Sequence, residues 1–545
     1  MEHHQLHALH HNISLAQNIN ASASPDEDTY FSLGSGWLVA HVTLMILAWA
    51  IVLPIGVMLG IYRSKLHVPF QMAFNGLVTG GVICAVALNE TSRDLYPNNA
   101  HHKIGWIFIW TLLVQVVFGL MRVLFAIPSR TLGTPKPVRS LRETYCEVPR
   151  HSDESVRSHD SGHEENGNIS SLDEDRGGLL PSSTSSATLA EEHNGAYEKP
   201  ANTRWRRSAF LHRLHDTIPQ AGCDFLERLA PAKVARVVHS MIGRIMIPFG
   251  YIQICTGIVT ATGLMHDTDV FNGLAHFIKG GIFFWYGVIS LGRWSGAFSE
   301  MGWAWNVKPD PRVVGRWTSS APTAELVESS VIFAYGVLDV WLEHLGNQGG
   351  EWSHSDLQHL SIALLFLGGG LCGILMESKM IRRLLNSVRL QDPDAQKEEH
   401  QPSSYELSSN VFPALVVFIT GIMMSSHHQP TMLATTIHAQ WGALLAMFGI
   451  FRILTYMLLY LSPPTSTFPS RPLTELLASF SLMSGGFVFV CSNSETVNAM
   501  ERRDIGSMFV LMLAFSGSLM VMAFCILVKA MTAISFTAAR SSRTQ

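Results

Sequence analysis

Long apolar runs separated by short polar connections dominate the chain. Eleven of them reach the roughly 20 residues that an α-helix needs to cross a lipid bilayer. They cover about 37–62, 70–91, 103–127, 240–264, 274–292, 322–343, 357–376, 410–426, 437–461, 474–492 and 505–530. The runs are too long for the strands of a membrane barrel, and backbone amides within lipid must be bonded inside the segment. The pattern predicts an all-α polytopic membrane protein with about 11 transmembrane helices.

Composition supports the membrane assignment and excludes several other classes. Charged residues make up only 15% of the 545 residues, against about 25% in soluble domains. The mean hydropathy is +0.21. The net charge of −4 offers no basic surplus for a nucleic-acid partner. The 7 cysteines are scattered and mostly lie in apolar runs, which excludes a disulfide framework. The predicted partner is the lipid bilayer.

Lysine and arginine in alternate connections predict the orientation. Arg63 and Lys65 follow the first run, Arg382 and Arg383 follow the seventh, and Arg540 lies in the tail. Basic connections stay on the cytosolic side. We therefore predict an outer or luminal N-terminus and a cytosolic C-terminus, in the plasma membrane or an endomembrane of the secretory pathway. The pair Arg502 and Arg503 violates this trend.

Three polar segments flank or interrupt the apolar runs. Residues 1–36 are rich in histidine and lack the apolar core of a secretory signal, so we expect an outer tail. Residues 128–236 contain a stretch rich in Ser, Glu, Asp, Asn and Gly that cannot bury a core, which predicts a disordered cytosolic loop. Residues 533–545 form the predicted cytosolic tail.

The third and fourth apolar runs share an internal repeat. A histidine is followed by glycine at +4, glutamine at +14 and glycine at +18. The two copies are His101, Gly105, Gln115, Gly119 and His239, Gly243, Gln253, Gly257. On a helix these offsets fall near one face, because 18 residues make five turns. Glycine there lets a flat group or another backbone approach closely. The alternative interpretation is a packing face of small residues with two interfacial histidines.

Two further histidines begin the first and second runs. His41 and His101 both begin helices on the outer side, whereas His67 and His239 both begin helices on the inner side. Two histidine pairs at two depths of a four-helix bundle are what two bis-histidine haems require. The spacing thus predicts haem b at each pair.

Residues 37–264 resemble the cytochrome b-561 core. The resemblance rests on the H-x-x-L-M-x-x-x-W-x-x-x-x-P-x-G pattern at His41, on Leu-His-x-x-Phe-Gln at His67, and on H-x-x-x-G at His101 and His239. It implies two haems b on these four histidines and electron transfer across the membrane. An enzyme of this kind would be an oxidoreductase like the ferric and cupric reductases. His102 competes with His101, and the electron donor and acceptor stay open.

The second half, residues 265–532, carries histidines and carboxylates at the predicted outer ends of its helices. These candidate metal ligands are His276, Glu343, His344, Asp356, His359 and His438. Imidazoles with nearby carboxylates suit Zn, Cu or Fe. Alternatively, each histidine bonds a local group and no metal is held. Glu325 and Glu328, near an inner helix end, either face the bundle interior or lie at the interface.

The whole chain resembles the Ytp-type fungal membrane proteins. The segments that carry this resemblance are 275–287, 335–343 and 356–359, and it covers about 240–530. It implies a multi-pass membrane protein and supplies no defined activity. Two other functions stay open beside electron transfer: a haem-free, histidine-rich protein that binds or transports metal ions, and a structural membrane protein.

Overall fold

The computed structural model describes residues 35–91, 96–125, 232–265, 270–342, 354–387 and 408–544. Most of the predicted outer tail, 1–36, and most of the predicted disordered loop, 128–236, lie outside these residues. The same holds for Glu343 and His344.

Eleven long helices make up the described part of the chain. They are α1 Gly36–Ile61, α2 His67–Thr91, α3 Ala100–Phe125, α4 Ala232–Thr262, α5 Val270–Trp294, α6 Ala324–Leu342, α7 His354–Glu377, α8 Phe412–Ser425, α9 Met432–Leu461, α10 Leu473–Val490 and α11 Ser507–Thr544. Short helices lie in the connections, among them Lys379–Ser387 and Ser494–Arg502. No strand occurs in the ranges given above.

The prediction of an all-α polytopic membrane fold is confirmed. A helix lies at every one of the eleven apolar runs, and nine of those within the described residues are long and apolar enough to cross a bilayer. The other two are α6, which carries carboxylates near its start, and α8, which has 14 residues. Eleven crossings therefore remain a prediction.

Helices α1 to α4 share one apolar core. Trp49 and Leu53 of α1, Phe74 of α2, Phe108 of α3 and Met246 of α4 are buried together in it. The Trp49 ring contacts Phe74 and Phe108, with centre-to-centre distances of 5.4 Å to each. Gly250 makes room for this indole, because a Cβ there would lie 2.6 Å from Trp49 Cε3. This aromatic layer fills the middle of the bundle and leaves its two ends for other side chains.

Helix α1 departs from regular α geometry next to Trp49. Residues Leu47–Val52 form a turn of π-helix inside it. Such wider turns inside helices are found most often near functional sites, since the extra residue turns the flanking side chains relative to each other. His41 lies before this turn and Gly56 lies after it, so the extra residue changes their relative orientation around the helix axis.

The second half has its core around α9. Trp441, Leu445 and Phe448 of this helix pack on Leu482 and Phe489 of α10. Glycines in this half allow the backbones of neighbouring helices to come close together. A Cβ on Gly336 of α6, for example, would collide with the α7 backbone at Leu367. Close approach of this kind is typical of helix packing within membranes.

The two halves meet through α4 and α5. The ring of Tyr251 stacks on Phe284 with centres 5.6 Å apart and planes 8° apart. A second contact joins the end of α1 to α11, where Lys529 Nζ lies 5.7 Å from the centre of the Tyr62 ring. The four-helix bundle is therefore packed directly on the second half.

Candidate functional site

One end of the four-helix bundle holds His41 and His101. Their ring centres lie 6.1 Å apart and the ring planes are 83° apart. Nδ1 of His41 lies 2.8 Å from the carbonyl oxygen of Gly81. Nδ1 of His101 lies 3.0 Å from Gln253 Nε2 and 3.2 Å from Thr256 Oγ1. Both imidazoles are thus oriented from their Nδ1 side by neighbouring helices.

The other end of the bundle holds His67 and His239 in nearly the same arrangement. Their ring centres lie 6.0 Å apart, with an angle of 81° between the planes. Nδ1 of His67 lies 2.8 Å from the carbonyl oxygen of Gly56, and Nδ1 of His239 lies 3.2 Å from the carbonyl oxygen of Gln115. The two histidine pairs are far apart, since Gly56 lies about 22 Å from His41 along α1 at a rise of 1.5 Å per residue.

The carbonyl partners fix the tautomer of three of these histidines. A carbonyl oxygen only accepts hydrogen bonds, so Nδ1 of His41, His67 and His239 must donate. A neutral imidazole that donates from Nδ1 carries its lone pair on Nε2. Metal-bound histidines in proteins are usually held in this way, with the second nitrogen bonded to a carbonyl or carboxylate.

The ring separations match two imidazoles on opposite sides of one metal atom. The ring centres would then lie about 6 Å apart, since each metal–nitrogen bond is about 2 Å long and each ring adds about 1 Å. The two pairs are at 6.1 and 6.0 Å. Edge-to-face contact of two rings gives the same range of separations, so the distance is compatible with a metal between the imidazoles but does not by itself require one.

Glycines at the +18 position of the repeat lie against imidazoles. A Cβ on Gly257 would lie 3.1 Å from Cε1 of His101, and a Cβ on Gly119 would lie 3.2 Å from Cε1 of His239. Because α3 and α4 run in opposite directions, each helix presents its glycine to the histidine of the other. The +18 glycine therefore accommodates the side of the imidazole ring.

The +4 glycines contact the glutamines of the opposite helix. A Cβ on Gly105 would lie 3.3 Å from Nε2 of Gln253, and a Cβ on Gly243 would lie 3.3 Å from Nε2 of Gln115. The whole 4/14/18 repeat is thereby explained as one local twofold arrangement of α3 and α4. The Oε1 atoms of Gln115 and Gln253 are buried and accept no hydrogen bond from the described residues.

A small groove with a cavity volume of about 50 Å³ opens beside the pair His67 and His239. Its lining combines apolar side chains with His67, His239, Gln71, Gln115 and the exposed Arg244. Arg244 donates to Ser240 Oγ at 2.8 Å. The groove thus brings two imidazoles, two glutamine side chains and one cation together among apolar side chains.

His102 has a different environment from His101. It is exposed, and its Nε2 accepts from the indole Nε1 of Trp106 at 3.2 Å on the same helix. His101 instead lies against His41 and Gly257. Of the two neighbouring histidines, His101 is therefore the one that pairs with His41.

In the second half, His276 and His438 come together from α5 and α9. Their ring centres lie 6.1 Å apart and the planes are 80° apart. Each Nδ1 bonds the carbonyl four residues earlier in its own helix, at Asn272 (2.8 Å) and Ala434 (2.9 Å). The sequence placed these two histidines at one depth but could not say that they would meet.

The remaining candidate metal ligands are not gathered in one group with that pair. His359 lies against His427, with ring centres 6.2 Å apart and planes 37° apart, and Asp356 is half-buried in the first turn of α7. Within the described ranges, no three of the His, Cys, Asp and Glu side chains form a group that could hold a metal ion. Because Glu343 and His344 lie outside those ranges, a metal site that uses them stays a prediction.

The sequence interpretation missed three charged residues of the second half. Arg293, Arg452 and Glu475 are fully buried, and all three belong to one ion-pair network with Glu325 and Glu328. The signal was present in the sequence, since Arg452 lies inside an apolar run and ionisable residues at such positions are costly unless paired. The two glutamates face the interior, which settles the alternatives left open for them.

Comparison with known proteins assigns the family. Residues 249–533 match the family described as Protein YTP1-like, C-terminal, and residues 24–125 match a Domain of unknown function (DUF2427). An uncharacterized membrane protein of Schizosaccharomyces pombe is 37% identical over 508 residues, which is 91% of this chain and 94% of that protein. No solved structure matches the chain.

Two proteins of Saccharomyces cerevisiae are similar over about half of the chain. An uncharacterized membrane protein is 41% identical over 286 residues, covering 51% of this chain and 45% of that protein. Protein YTP1 is 23% identical over 287 residues, covering 52% of each. Since the Ytp1-like match extends over more than half of the residues and the fission yeast relative over nearly all of them, the chain belongs to the Ytp1-like family of fungal multi-pass membrane proteins.

Proposed function

We propose that the four-helix bundle α1–α4 transfers electrons across the membrane through two haems b. The observation that carries the proposal is that two similar histidine pairs lie near opposite ends of one bundle. Their ring centres are 6.1 and 6.0 Å apart. Haem iron supplies reversible one-electron chemistry when two imidazoles bind it. The b-561-like spacing of the same four histidines supports the proposal.

The residues around each pair fit a haem. His41 and His101 would bind one haem, and His67 and His239 the other. For His41, His67 and His239 the ligating atom would be Nε2, opposite the Nδ1 that donates to a carbonyl. His101 would use Nε2 when its Nδ1 donates to Thr256 Oγ1 rather than accepting from Gln253 Nε2. The glycines beside the rings let His101 and His239 lie close against the neighbouring helix, where a larger side chain would displace them. Beside His67 and His239, the groove is lined mainly by apolar side chains, and the Arg244 guanidinium would suit an acidic group.

A route for electrons is needed because a bare charge is costly inside a bilayer. The two pairs are separated by about 22 Å along α1, most of a hydrocarbon core about 30 Å thick. Among the described residues, the side chains packed between them include the rings of Trp49, Phe74 and Phe108. The bundle itself thus holds both sites at fixed depth and keeps water from the space between them.

An absorption spectrum of the purified protein tests this function. After reduction with dithionite, we expect the sharp α and Soret bands of low-spin, bis-histidine haem b, with two haems per chain by pyridine haemochrome assay. Bis-imidazole ligation leaves no open iron position, so added carbon monoxide should change the spectrum little. A protein that stays colourless after expression with ample haem and reconstitution would refute the proposal.

The orientation belongs to the same proposal. We propose that the N-terminus is outside or luminal and that loop 128–236 and the C-terminus are cytosolic, on the distribution of lysine and arginine. The outer pair is then His41 with His101. Protease added to sealed, right-side-out vesicles should leave the loop intact.

A second candidate function is metal-ion binding at His276 and His438. Their 6.1 Å separation equals that of the outer bundle pair, but the surroundings differ. The ring centre of Phe489 lies 5.3 Å from that of His276. Gly280, four residues after His276, contacts a facing helix, because a Cβ there would lie 2.7 Å from the carbonyl oxygen of Gly486. The close helix contact at Gly280 argues against a haem there, whereas the two imidazoles would supply two of the ligands of a Cu, Zn or Fe ion. Such an ion is a candidate acceptor for a reductase.

Elemental analysis tests the metal pair. We expect bound Cu, Zn or Fe in the wild type, and its loss in a His276→Ala/His438→Ala variant because both proposed ligands are removed. His428→Ala is the matched control, since His428 is an exposed histidine of the same region. Equal metal content in all three proteins would exclude this pair. Metal that is retained by a colourless wild type would instead favour the haem-free alternative.

A further inference from the structure

Five charged side chains are buried together in the second half, away from all the histidines above. They come from the ends of four helices: Arg293 of α5, Glu325 and Glu328 of α6, Arg452 of α9 and Glu475 of α10. The side chains of Arg293, Arg452 and Glu475 are 2%, 1% and 0% exposed, and even Glu328 is only 13% exposed. We call this set the charge cluster.

Arg293 organises one side of the charge cluster. Its Nη2 donates to Glu325 Oε1 and its Nη1 donates to Glu328 Oε1, each at 2.7 Å, while its Nε donates to the carbonyl of Trp303 at 2.7 Å. Its guanidinium lies 4.3 Å from the centre of the Trp305 ring. Glu325 also accepts from the Tyr456 hydroxyl at 3.1 Å. On this side of the charge cluster, every charged group therefore makes directed hydrogen bonds.

Arg452 organises the other side less completely. Its Nη2 donates to Ser290 Oγ at 2.6 Å, and its Nη1 lies 3.4 Å from both oxygens of Glu328. Its Nε lies 2.6 Å from Glu475 Oε1, but the N–H does not point along that line. The nearby Thr455 hydroxyl donates to a backbone carbonyl of its own helix. Within the described residues, neither oxygen of Glu475 accepts a well-aligned hydrogen bond. The Thr455 hydroxyl is close enough for a weak one, so Glu475 has fewer directed donors than Glu325 or Glu328.

The charges of the cluster do not balance. Three carboxylates and two guanidiniums leave one excess negative charge if all five groups are ionised. The charged groups that act on Glu475 are the guanidiniums of Arg452 and Arg293 and the carboxylate of Glu328, and the neighbouring Tyr286 and Tyr456 add only hydroxyls. An unbalanced buried charge is strongly destabilising. Arginine does not lose its proton in proteins, so uptake of a proton by one carboxyl is the way in which the cluster's own groups reach neutrality.

We propose that the charge cluster is a proton-binding site and that Glu475 is the carboxyl that carries the proton. The ligand is H⁺ from water, bound as a carboxylate becomes a carboxylic acid, which changes the cluster's charge from −1 to 0. Glu325 and Glu328 keep their charges because guanidinium N–H groups bond them directly. The proposal concerns the second half only and does not depend on haem in the bundle.

Infrared spectroscopy of the purified full chain at pH 7 tests the site directly. A protonated carboxyl has a C=O stretching band that carboxylates lack and that shifts in D₂O. We expect Glu475→Gln to lose one such band relative to the wild type. Glu325→Gln is the matched control within the cluster, and it should keep the band because Glu325 is ionised.

Thermal stability separates the two glutamates independently. A neutral amide at position 475 would resemble the protonated acid, so Glu475→Gln should keep the wild-type Tm within a few degrees. Glu325→Gln removes an ion pair of Arg293 and should lower Tm by clearly more. An unchanged acid band in Glu475→Gln, or a Tm loss as large as that of Glu325→Gln, would overturn the proposal. So would a wild type that has no such band and gains stability only with Na⁺ or K⁺, since a metal cation would then balance the charge.

Discussion

His239→Ala is expected to remove one haem from the purified protein and leave the other. The inner pair, His67 with His239, loses one of its two imidazoles, and a haem with a single protein ligand in a solvent-open groove is held weakly. The outer pair keeps both imidazoles and both of their orienting partners. The haem content should therefore fall from about two to about one per chain, with the remaining spectrum still low-spin.

The matched variants make this result specific. His101→Ala should remove the outer haem by the same reasoning, and the double variant His101→Ala/His239→Ala should be colourless. His102→Ala is the control, because this neighbouring histidine is exposed and bonded to Trp106. A full haem content in His239→Ala, or an equal loss in His102→Ala, would contradict the assigned ligands.

The second large effect is expected from Arg293→Ala. The substitution leaves Glu325 and Glu328 buried without their main partner, and removing one member of a buried ion pair typically costs about 3–5 kcal/mol. We therefore expect a marked fall in the thermal unfolding midpoint of the detergent-solubilised protein, measured by tryptophan fluorescence. Haem-dependent absorbance should be retained at low temperature, because the bundle lies elsewhere.

Two companion variants separate lost pairing from general damage. Arg312→Ala changes an exposed arginine in the connection after α5 and should shift the midpoint little. The triple variant Arg293→Met/Glu325→Gln/Glu328→Gln removes the stranded charges together with their partner and should regain part of the loss. An Arg293→Ala protein as stable as the wild type would mean that the two glutamates are solvated by some other route.

The positions of the helices could be predicted from hydrophobicity alone, because lipid imposes one requirement on every crossing segment. The pairing of His41 with His101 and of His67 with His239 also followed from depth, since alternate helices begin on the same side. The 4/14/18 repeat indicated a shared face but not its use. Each +18 glycine faces the histidine of the antiparallel neighbour. This contact depends on which helices touch, and the spacing of residues along the sequence does not give that information.

The second half was less predictable for the same reason. Seven helices can be arranged in many lateral orders, so equal depth did not decide which histidines meet. His276 pairs with His438, whereas His359 lies beside His427. The charge cluster escaped notice because its members are spread from Arg293 to Glu475 in sequence. Only the contact of four helix ends brings opposite charges close enough to offset the cost of burying them.

If the two histidine pairs hold haems as proposed, the local twofold arrangement of α3 and α4 bears on the direction of electron transfer. Two redox centres with identical ligands and identical surroundings have equal reduction potentials, and an electron shared between them has no preferred side. Any bias must come from the residues that break the repeat. At the outer pair this is the Thr256 hydroxyl beside His101, and at the inner groove it is the positive charge of Arg244. A nearby cation favours the reduced state, so rectification in this bundle would be set by its periphery rather than by its axial histidines.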